Sequence, residues 1–311
     1  MRDTGTMQDQ KEVAAPGRIC IVANLKSGRN SRDAAAVDAA AQVLGAEVLA
    51  CTRPDRLGAT LDKAVANRPD MIVSAGGDGT AVATAGKLLG TGIAMAVLPL
   101  GTFNYFARGL GLDPDPAEAA RQIVTGRIEP RRLGQVNGQI FLNNASVGVY
   151  PRILKEREAI YRRWGRRRLM AHWSVIRSFL RFRRPMRVRL DTGDGGHIRK
   201  TALVFVGRSG FQLARFGLAG GEAIKAGGFA VLVVRAESRG ELFRRVARLA
   251  AGAVEEGVDY DLIQGDRLHL DLPGKRRMLL AYDGEKRKMD GPLRFAMTAE
   301  ELRLVMPRER E

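Results

Sequence analysis

The sequence predicts an α/β domain followed by a β-rich domain of the sandwich type. Between Arg18 and about Ile128, short apolar runs alternate with helical stretches, which is the pattern of a parallel sheet covered by helices. Beyond that point, strand-like runs follow one another with few helical segments between them, which favours packed β-sheets. We therefore predict a flexible tail at 1–16, an α/β domain at 17–130, a β-sandwich at 131–290, and C-terminal strands at 291–311 that return to the first domain.

The first domain is predicted from four apolar runs of five or six residues, each short enough to be a buried strand. These runs lie at 18–23, 46–51, 71–75 and 93–98. Helical segments follow the first three of them, at 31–44, 57–66 and 81–89. Strands that alternate with helices in this way form a parallel sheet, whose strand ends all point to one edge.

The second half is predicted to be mostly β. A hairpin is expected at 135–141, because Asn137-Gly138 is a favoured pair for a two-residue turn. Further strands are expected at 141–149, 186–191, 201–206, 229–235, 268–272, 278–282, 293–297 and 302–305. Two long helical patterns remain, at 169–182 and 240–255.

The charge balance restricts the class of partner. The 311 residues include 51 Lys and Arg against 34 Asp and Glu, a net charge of +17, which favours a polyanion such as a nucleotide, a nucleic acid or an acidic membrane. No apolar run approaches the length that spans a bilayer, and the first residues lack an apolar signal core, so we predict a cytoplasmic protein. Two separated cysteines and three dispersed histidines indicate neither a disulfide framework nor a zinc site.

Much of the positive charge is concentrated in a basic segment at 152–187. Within it, Leu169, Trp173, Ile176 and Leu180 recur at helical spacing between clusters of arginines. Such a helix suits the surface of an anionic bilayer, although the apolar stripe could equally pack on the β domain and leave the arginines in solvent. No nucleic acid is expected as a partner, since zinc ligands, an aromatic RNA-binding motif and a helix-turn-helix are all missing from the sequence.

Three predicted strands of the first domain end in polar loops that contain glycine. These loops are NLKSG at 24–28, GGDGT at 76–80 and PLGTFN at 99–104. Glycines let backbone N–H groups approach an anion closely, and a helix that begins at Thr80 would add a favourable dipole for phosphate. Asp78 suits Mg²⁺ or the orientation of a hydroxyl better than it suits phosphate. The Rossmann and P-loop glycine patterns are both absent from the sequence.

A further acidic segment, Asp283-Gly284-Glu285, follows the apolar strand at 278–282. Its carboxylates could accept a proton or help to hold magnesium if they face the phosphate edge. The alternative is a solvated hairpin turn, because Asp-Gly is also a favoured turn dipeptide.

Taken together, these motifs resemble the diacylglycerol kinase catalytic family, which includes bacterial lipid kinases, sphingosine kinases and ceramide kinases. GGDGT alone is shared with NAD kinases, but GGDGT, then PLGTxN about twenty residues on, then a late DGE is more specific. The resemblance covers about residues 18–307. It implies an NAD-kinase-like α/β nucleotide-binding domain, a β-sandwich for the lipid substrate, and an active site in the cleft between them.

The resemblance also implies ATP and Mg²⁺ as cofactors and assigns roles to particular residues. Asp283 or Glu285 would act as the general base, and Asp78 would organise magnesium or the hydroxyl. The nucleotide site would be formed by Asn24, Ser27, Gly28, Thr52, Gly76, Gly77, Asp78, Gly79, Thr80, Gly101, Thr102 and Asn104.

The predicted function is therefore that of an ATP-dependent lipid kinase. It would transfer the γ-phosphate of ATP to a hydroxyl of a diacylglycerol, ceramide or sphingoid base at the inner face of the membrane, as a step of lipid metabolism. The alternatives are an NAD kinase, which GGDGT favours, a nucleic-acid-binding protein, which the charge favours, and a non-catalytic lipid binder with the same fold.

Overall fold

The computed structural model describes residues 17–25, 30–149, 185–193 and 195–308. The predicted tail, the predicted helix at 169–182 and nearly all of the basic segment lie outside the described residues. Among the helices that the structure describes, none is long and apolar enough to cross a membrane.

The first half contains a four-stranded parallel sheet with helices on its faces. Its strands run in the order β2 (Glu47–Cys51), β1 (Ile19–Asn24), β3 (Met71–Gly76) and β4 (Ala94–Pro99). The last two are buried at every residue, as expected for the centre of a sheet that is covered on both faces. The helices are α1 (Asn30–Leu44), α2 (Leu57–Ala66), α3 (Asp78–Leu88), α4 (Tyr105–Gly109) and α5 (Pro116–Val124), with a 3₁₀ turn at Pro54–Arg56.

The second half supplies twelve further strands within the described residues. They are β5 (Arg127–Val136), β6 (Gln139–Phe141), β7 (Asn144–Gly148), β8 (Met186–Asp191), β9 (His197–Thr201), β10 (Leu203–Gly207), β11 (Phe229–Val234), β12 (Tyr260–Gly265), β13 (Arg267–Asp271), β14 (Arg277–Tyr282), β15 (Glu285–Asp290) and β16 (Leu293–Met306). Three helices accompany them: α6 (Gly210–Arg215), α7 (Gly221–Lys225) and α8 (Arg239–Ala250).

The first sheet does not stop at β4. It continues through β16, β13, β8 and β9, with β5 beside β16 and β6 beside β5, while β12, β11, β10, β7, β14 and β15 form a separate antiparallel sheet. The two sheets pack face to face around three aromatic rings, with Phe141 lying 5.9 Å from Phe229 and 6.3 Å from Phe295 between centroids. A sandwich therefore grows out of the same sheet that carries the α/β layer, and the chain returns to that sheet through β16.

Several predicted elements differ from the observed ones. The region expected to hold two strands, at 293–297 and 302–305, forms the single strand β16, whose register against β5 shifts between Met297 and Glu301. Thr298 absorbs the irregularity, because its Oγ1 accepts from Leu133 N (2.9 Å) and donates to Glu300 O (2.8 Å). The polar strands β9, β12 and β15 were not expected, since charged edge strands lack an apolar pattern.

Two helix boundaries also differ from the predicted ones. Helix α3 begins at Asp78 rather than at Thr80 or in the apolar run after it, because the extended residue Gly77 caps it directly after β3. Helix α8 ends at Ala250, five residues before the predicted end, and Gly252 lies just beyond it with φ +66°.

Candidate active site

The polar loops leave neighbouring strands at one edge of the parallel sheet. The register pairs Asn24 with Cys51 and Gly76 with Pro99, so the four strands end side by side. Leu100 N donates to Gly76 O (3.0 Å), which carries the pairing into the loops. The structure therefore brings the segments that follow β3 and β4 together, at the edge where sheets of this type bind ligands.

The two glycine loops touch at Gly77 and Gly101. A Cβ on Gly101 would lie 2.5 Å from Gly77 Cα and 2.6 Å from Asn104 Oδ1, so only glycine fits there. Asn104 has φ +50°, and its side chain accepts from Gly101 N and donates to Gly101 O, both at 2.9 Å. Its amide therefore holds the PLGTFN turn in shape, and its predicted place in the nucleotide site stays a prediction.

Asn24 joins the loop after β1 to the start of α3. Its Nδ2 donates to Thr80 Oγ1 (3.0 Å), whereas its Oδ1 is buried without a hydrogen-bond partner. Gly76 makes room for this contact, because a Cβ there would lie 2.5 Å from Thr80 Oγ1. Of the other predicted nucleotide residues, Gly79 has open space around its Cα, Thr52 and Thr102 are exposed, and Ser27 and Gly28 lie outside the described residues.

Asp78, the first residue of α3, binds the start of α4. Its Oδ1 accepts from Phe106 N (2.9 Å) and its Oδ2 from Tyr105 N (3.2 Å). The carboxylate lies at the positive end of the α3 dipole, where a negative charge is stabilised. A third donor reaches it from the second half of the chain, Asn143 Nδ2 at 3.3 Å from Oδ1.

Asp283 lies in the turn between β14 and β15. With φ +43° at Asp283 and +86° at Gly284, the backbone is the two-residue hairpin that the Asp-Gly pair predicts. Its side chain nevertheless turns inward: Oδ2 accepts from Leu142 N (2.6 Å), and Oδ1 accepts from Asn143 N (2.8 Å) and Asn144 N (3.1 Å). The hairpin interpretation thus holds for the backbone, while the carboxylate points into the molecule.

The surroundings of Asp283 change its proton affinity. Burial raises its pKa to about 6, the three backbone N–H groups work against that rise, and the negative charge of Asp78 adds to it. A carboxylate offers about four lone-pair positions, and the three amides occupy three of them. One position on Oδ2 is left to accept a proton, on a group that is ionised but still basic at neutral pH.

Asn143 connects the two carboxylates, and the sequence analysis did not find it. Its backbone N donates to Asp283 and its side-chain Nδ2 donates to Asp78, while its Oδ1 is buried without a partner. The side chain is almost fully buried. The available signal was the pair Asn143-Asn144 inside an otherwise apolar stretch, because buried amides cost free energy unless they serve a contact. We call Asp78 and Asp283 the carboxylate pair and Asn143 its bridge.

Glu285, the other candidate base, begins β15 opposite Tyr282 and is exposed. It makes no hydrogen bond to Asp78, Asn143 or Asp283. The geometry therefore separates the two acids of the DGE segment: one faces the carboxylate of GGDGT, and the other faces solvent.

A buried cation supports the strand end that carries the bridge. Arg208 N donates to Asn143 O (2.8 Å), and its guanidinium donates to Ile224 O (3.2 Å) and to Arg132 O (3.4 Å). Burial, with the nearby charge of Arg131, lowers the pKa of Arg208 to about 10, so it stays protonated at neutral pH.

Within the described residues, no three Asp, Glu, His or Cys side chains form a metal-binding group. A magnesium ion that arrives with ATP needs fewer protein ligands, since such ions are commonly held by one or two carboxylates together with the phosphates. Asp78, with the unpartnered amide oxygens of Asn24 and Asn143, fits that kind of site.

Comparison with known proteins identifies the domain. Residues 18–136 match the family model described as the diacylglycerol kinase catalytic domain. Residues 18–136 are therefore similar to that catalytic domain, in line with the predicted family. It is 29% identical over 245 residues to the diacylglycerol kinase of Bacillus subtilis (strain 168), covering 78% of this chain and 79% of that protein.

Shorter matches at higher identity link the chain to proteins that are named as probable lipid kinases. A Pseudomonas aeruginosa protein named "Probable lipid kinase YegS-like" is 43% identical over 90 residues, which is 28% of this chain and 30% of that protein. A Klebsiella pneumoniae protein of the same name is 37% identical over 99 residues, or 31% and 33% of the two chains. These matches cover about a third of each relative.

The fold extends the likeness over nearly the whole chain. A crystal structure of a diacylglycerol kinase from Bacillus anthracis matches with a TM-score of 0.66 over 95% of this chain and 99% of the other, at 17% identity. At that identity the likeness shows the fold alone, and it confirms the predicted fold class. The predicted family, and with it an enzyme of the lipid kinase class, is also confirmed.

Proposed function

We propose that this protein transfers the γ-phosphate of ATP to a hydroxyl of a membrane lipid of the diacylglycerol, ceramide or sphingoid-base type, with Asp283 as the general base. The observation that carries the proposal is the carboxylate pair and its bridge, in which a buried acid with a pKa of about 6 faces the GGDGT loop. In this proposal the enzyme works from the cytoplasm at the inner face of the membrane, where its substrate lies.

The proposed step needs few groups from the protein. The remaining lone pair of Asp283 Oδ2 takes the proton of the lipid hydroxyl. At the same time, the oxygen of that hydroxyl forms a bond to the γ-phosphorus. The bond between this phosphorus and the β–γ bridging oxygen breaks, and ADP leaves with its electrons. When bound, Mg²⁺ neutralises charge on the phosphates.

The remaining residues position these reactants. Asp78 would hold the metal, with Asn143 fixing its orientation toward Asp283. Gly79, where a Cβ would meet open space, leaves the backbone of the GGDGT loop open to the phosphates, and Thr80 lies in the first turn of α3, whose N-terminal dipole favours them. Phosphoryl transfer depends mainly on such positioning and on charge neutralisation.

The test is an incubation of the purified protein with γ-labelled ATP, Mg²⁺ and a total lipid extract, followed by identification of the labelled lipid. We expect label in one lipid class, and we expect Asp283→Asn to reduce the rate by roughly 10²–10⁴-fold, the usual contribution of a general base. Glu285→Gln is the matched control, since it removes the neighbouring carboxylate and should leave the rate within a few-fold.

Two outcomes would contradict the proposal. A rate for Asp283→Asn equal to that of the wild type would exclude Asp283 as the base. Label that enters NAD in a parallel incubation, with none in any lipid, would favour the NAD kinase alternative.

A further inference from the structure

We propose that an aromatic cluster beside the candidate active site is the surface with which this protein docks on an anionic lipid bilayer. The cluster, called the aromatic patch, consists of Phe103, Tyr105, Phe211 and Phe216. The inference rests on the proposed function, because it names the surface by which such an enzyme would reach a lipid substrate.

The four rings come from two distant parts of the chain, and Tyr105 contacts each of the other three. Phe103 and Tyr105 stack with centroids 5.5 Å apart and planes only 2° from parallel. The ring of Tyr105 lies 6.5 Å from Phe211, on α6, and 6.5 Å from Phe216, just after α6. The patch therefore crosses the junction between the α/β layer and the antiparallel sheet.

Two of these rings are largely open to water. Phe103 is 53% exposed and Phe216 is 41% exposed. Single exposed apolar residues are ordinary, but adjacent exposed aromatic rings on one face mark an interaction surface. Aromatic side chains are also well suited to the region between lipid headgroups and acyl chains.

The charge around the patch determines the kind of partner. The two segments that build it, 99–112 and 208–221, contain no Asp or Glu, and two of their three arginines lie beside the rings, since Arg208 instead donates to backbone carbonyls. The guanidinium of Arg108 lies 4.7 Å from the centre of the Phe211 ring, and the exposed Arg215 directly precedes Phe216. Apolar rings with cations at their rim fit an anionic bilayer, in which each basic side chain near the surface contributes about 1 kcal/mol. A second copy of this chain would present the same positive charge and would be repelled.

The patch is also next to the proposed chemistry. Tyr105 supplies both a ring of the patch and a backbone N–H that donates to Asp78 (3.2 Å). Helices α4 and α6 approach closely here, since a Cβ on Gly109 would lie 3.3 Å from Ser209 Oγ. A bilayer against the patch would thus bring lipid headgroups beside the carboxylate pair.

The experiment measures co-sedimentation of the full chain, without ATP, with vesicles of equal parts phosphatidylglycerol and phosphatidylcholine. We expect Phe103→Ser with Phe216→Ser to weaken binding by roughly tenfold or more, because two apolar side chains no longer enter the bilayer. Phe243→Ser is the matched control, since this phenylalanine on α8 is 67% exposed but lies outside the patch. It should bind within about twofold of the wild type by the same area argument. If the double variant does not fold, the two single variants carry the test.

A second measurement separates docking from catalysis. The single variant Phe216→Ser, which leaves the PLGTFN loop intact, should phosphorylate a water-soluble short-chain diacylglycerol at the wild-type rate and a long-chain diacylglycerol in vesicles more slowly. Unchanged vesicle binding by the double variant would overturn the proposal, and so would a wild-type dimer that the double variant dissociates. Patch-dependent vesicle binding by a wild-type protein that phosphorylates no lipid would support the docking surface and contradict the proposed function instead.

Discussion

The loop of Asp78 and the hairpin of Asp283 hold a carboxylate by the same means but in different settings. Each carboxylate accepts backbone N–H groups from a neighbouring segment: Asp78 from the start of α4, and Asp283 from the strand end at 142–144. Asp78 lies at a helix N-terminus, whereas Asp283 lies in a β-hairpin, where burial raises its pKa to about 6.

This difference assigns the two carboxylates different roles, which the sequence motifs alone do not distinguish. A carboxylate at a helix N-terminus is stabilised as an anion, which suits a group that holds a cation or fixes a loop. A buried carboxylate beside another negative charge is destabilised as an anion, which suits a group that must take up a proton. Asn143 makes the two settings one site, because it donates to both carboxylates.

Apart from the loss of Asp283 itself, the largest effect is expected from a change to Asp78. Asp78→Asn would lose a charged acceptor for Tyr105 N and Phe106 N, and a misplaced reactant can cost about 10²-fold in rate. We therefore expect kcat to fall by about a hundredfold or more, with a higher Mg²⁺ concentration needed for half-maximal rate. The measurement is lipid phosphorylation against Mg²⁺ concentration.

Asp55→Asn serves as its control, because Asp55 is an exposed acid that pairs with the nearby Arg53. Its Mg²⁺ dependence should match that of the wild type. A magnesium requirement that is unchanged in Asp78→Asn would show that this carboxylate does not hold the metal.

The next effect is expected at the contact between Gly77 and Gly101, which holds the loop of Asp78 against the PLGTFN loop. Gly101→Ala would place a Cβ 2.5 Å from the backbone of Gly77, so the two loops must separate. Overpacking of this kind costs about 1–3 kcal/mol, which denaturant unfolding can measure. Gly58→Ala is the matched control in helix α2, where a Cβ meets open space, and a slight gain in stability is expected. Equal stability of the two variants would mean that the loops are not in contact.

Contacts between segments that are close in the sequence could be predicted at this site, whereas contacts between distant segments could not. GGDGT and PLGTFN are expected to meet, because β3 and β4 follow one another and parallel neighbours end at the same edge. The contact from Asn143 to Asp78 spans 65 positions in the chain and depends on how the second sheet packs, so no local pattern reveals it. Asp283 is ambiguous for a different reason, since a turn motif determines the backbone but not where the carboxylate points.

The same limit applies to the fold. Apolar strands in the first half were placed to within one or two residues, because burial on both faces leaves a continuous apolar run. The strand β15, with the sequence EKRKMD, is held by pairing with β14 at the edge of its sheet, and its composition resembles a loop. The predicted domain bounds and the roles of the site residues remain predictions.

A smaller effect is expected from removing the bridge between the two carboxylates. Asn143→Leu keeps the size of the side chain and its backbone N–H but removes the Nδ2 donor to Asp78, which we expect to lower kcat about tenfold, the equivalent of one lost hydrogen bond to a charged group. Asn143→Asp would instead add a third negative charge and move the acid limb of the pH–rate profile upward. Asn144→Leu is the matched control, because the side-chain amide of Asn144 donates to Gln212 (2.9 Å), while its backbone N–H to Asp283 is kept in the variant. A profile that stays in place in Asn143→Asp would contradict the bridging role.

The pH dependence of the wild type examines the Asp283 side alone. Burial and the charge of Asp78 raise the pKa of Asp283 to about 6, and a general base must be ionised, so kcat/KM should be half-maximal near pH 6 and level off above it. Replacing Asp78 by Asn removes a negative charge, which lowers the pKa of Asp283 and should shift the acid limb to lower pH. Glu285→Gln should leave the limb where it is, and the residual activity of Asp283→Asn should lack it. If the acid limb of the pH–rate profile persists in Asp283→Asn, it belongs to the titration of another group. Asp283 would then have a structural role, as Asp78 has toward α4, and would not be the base.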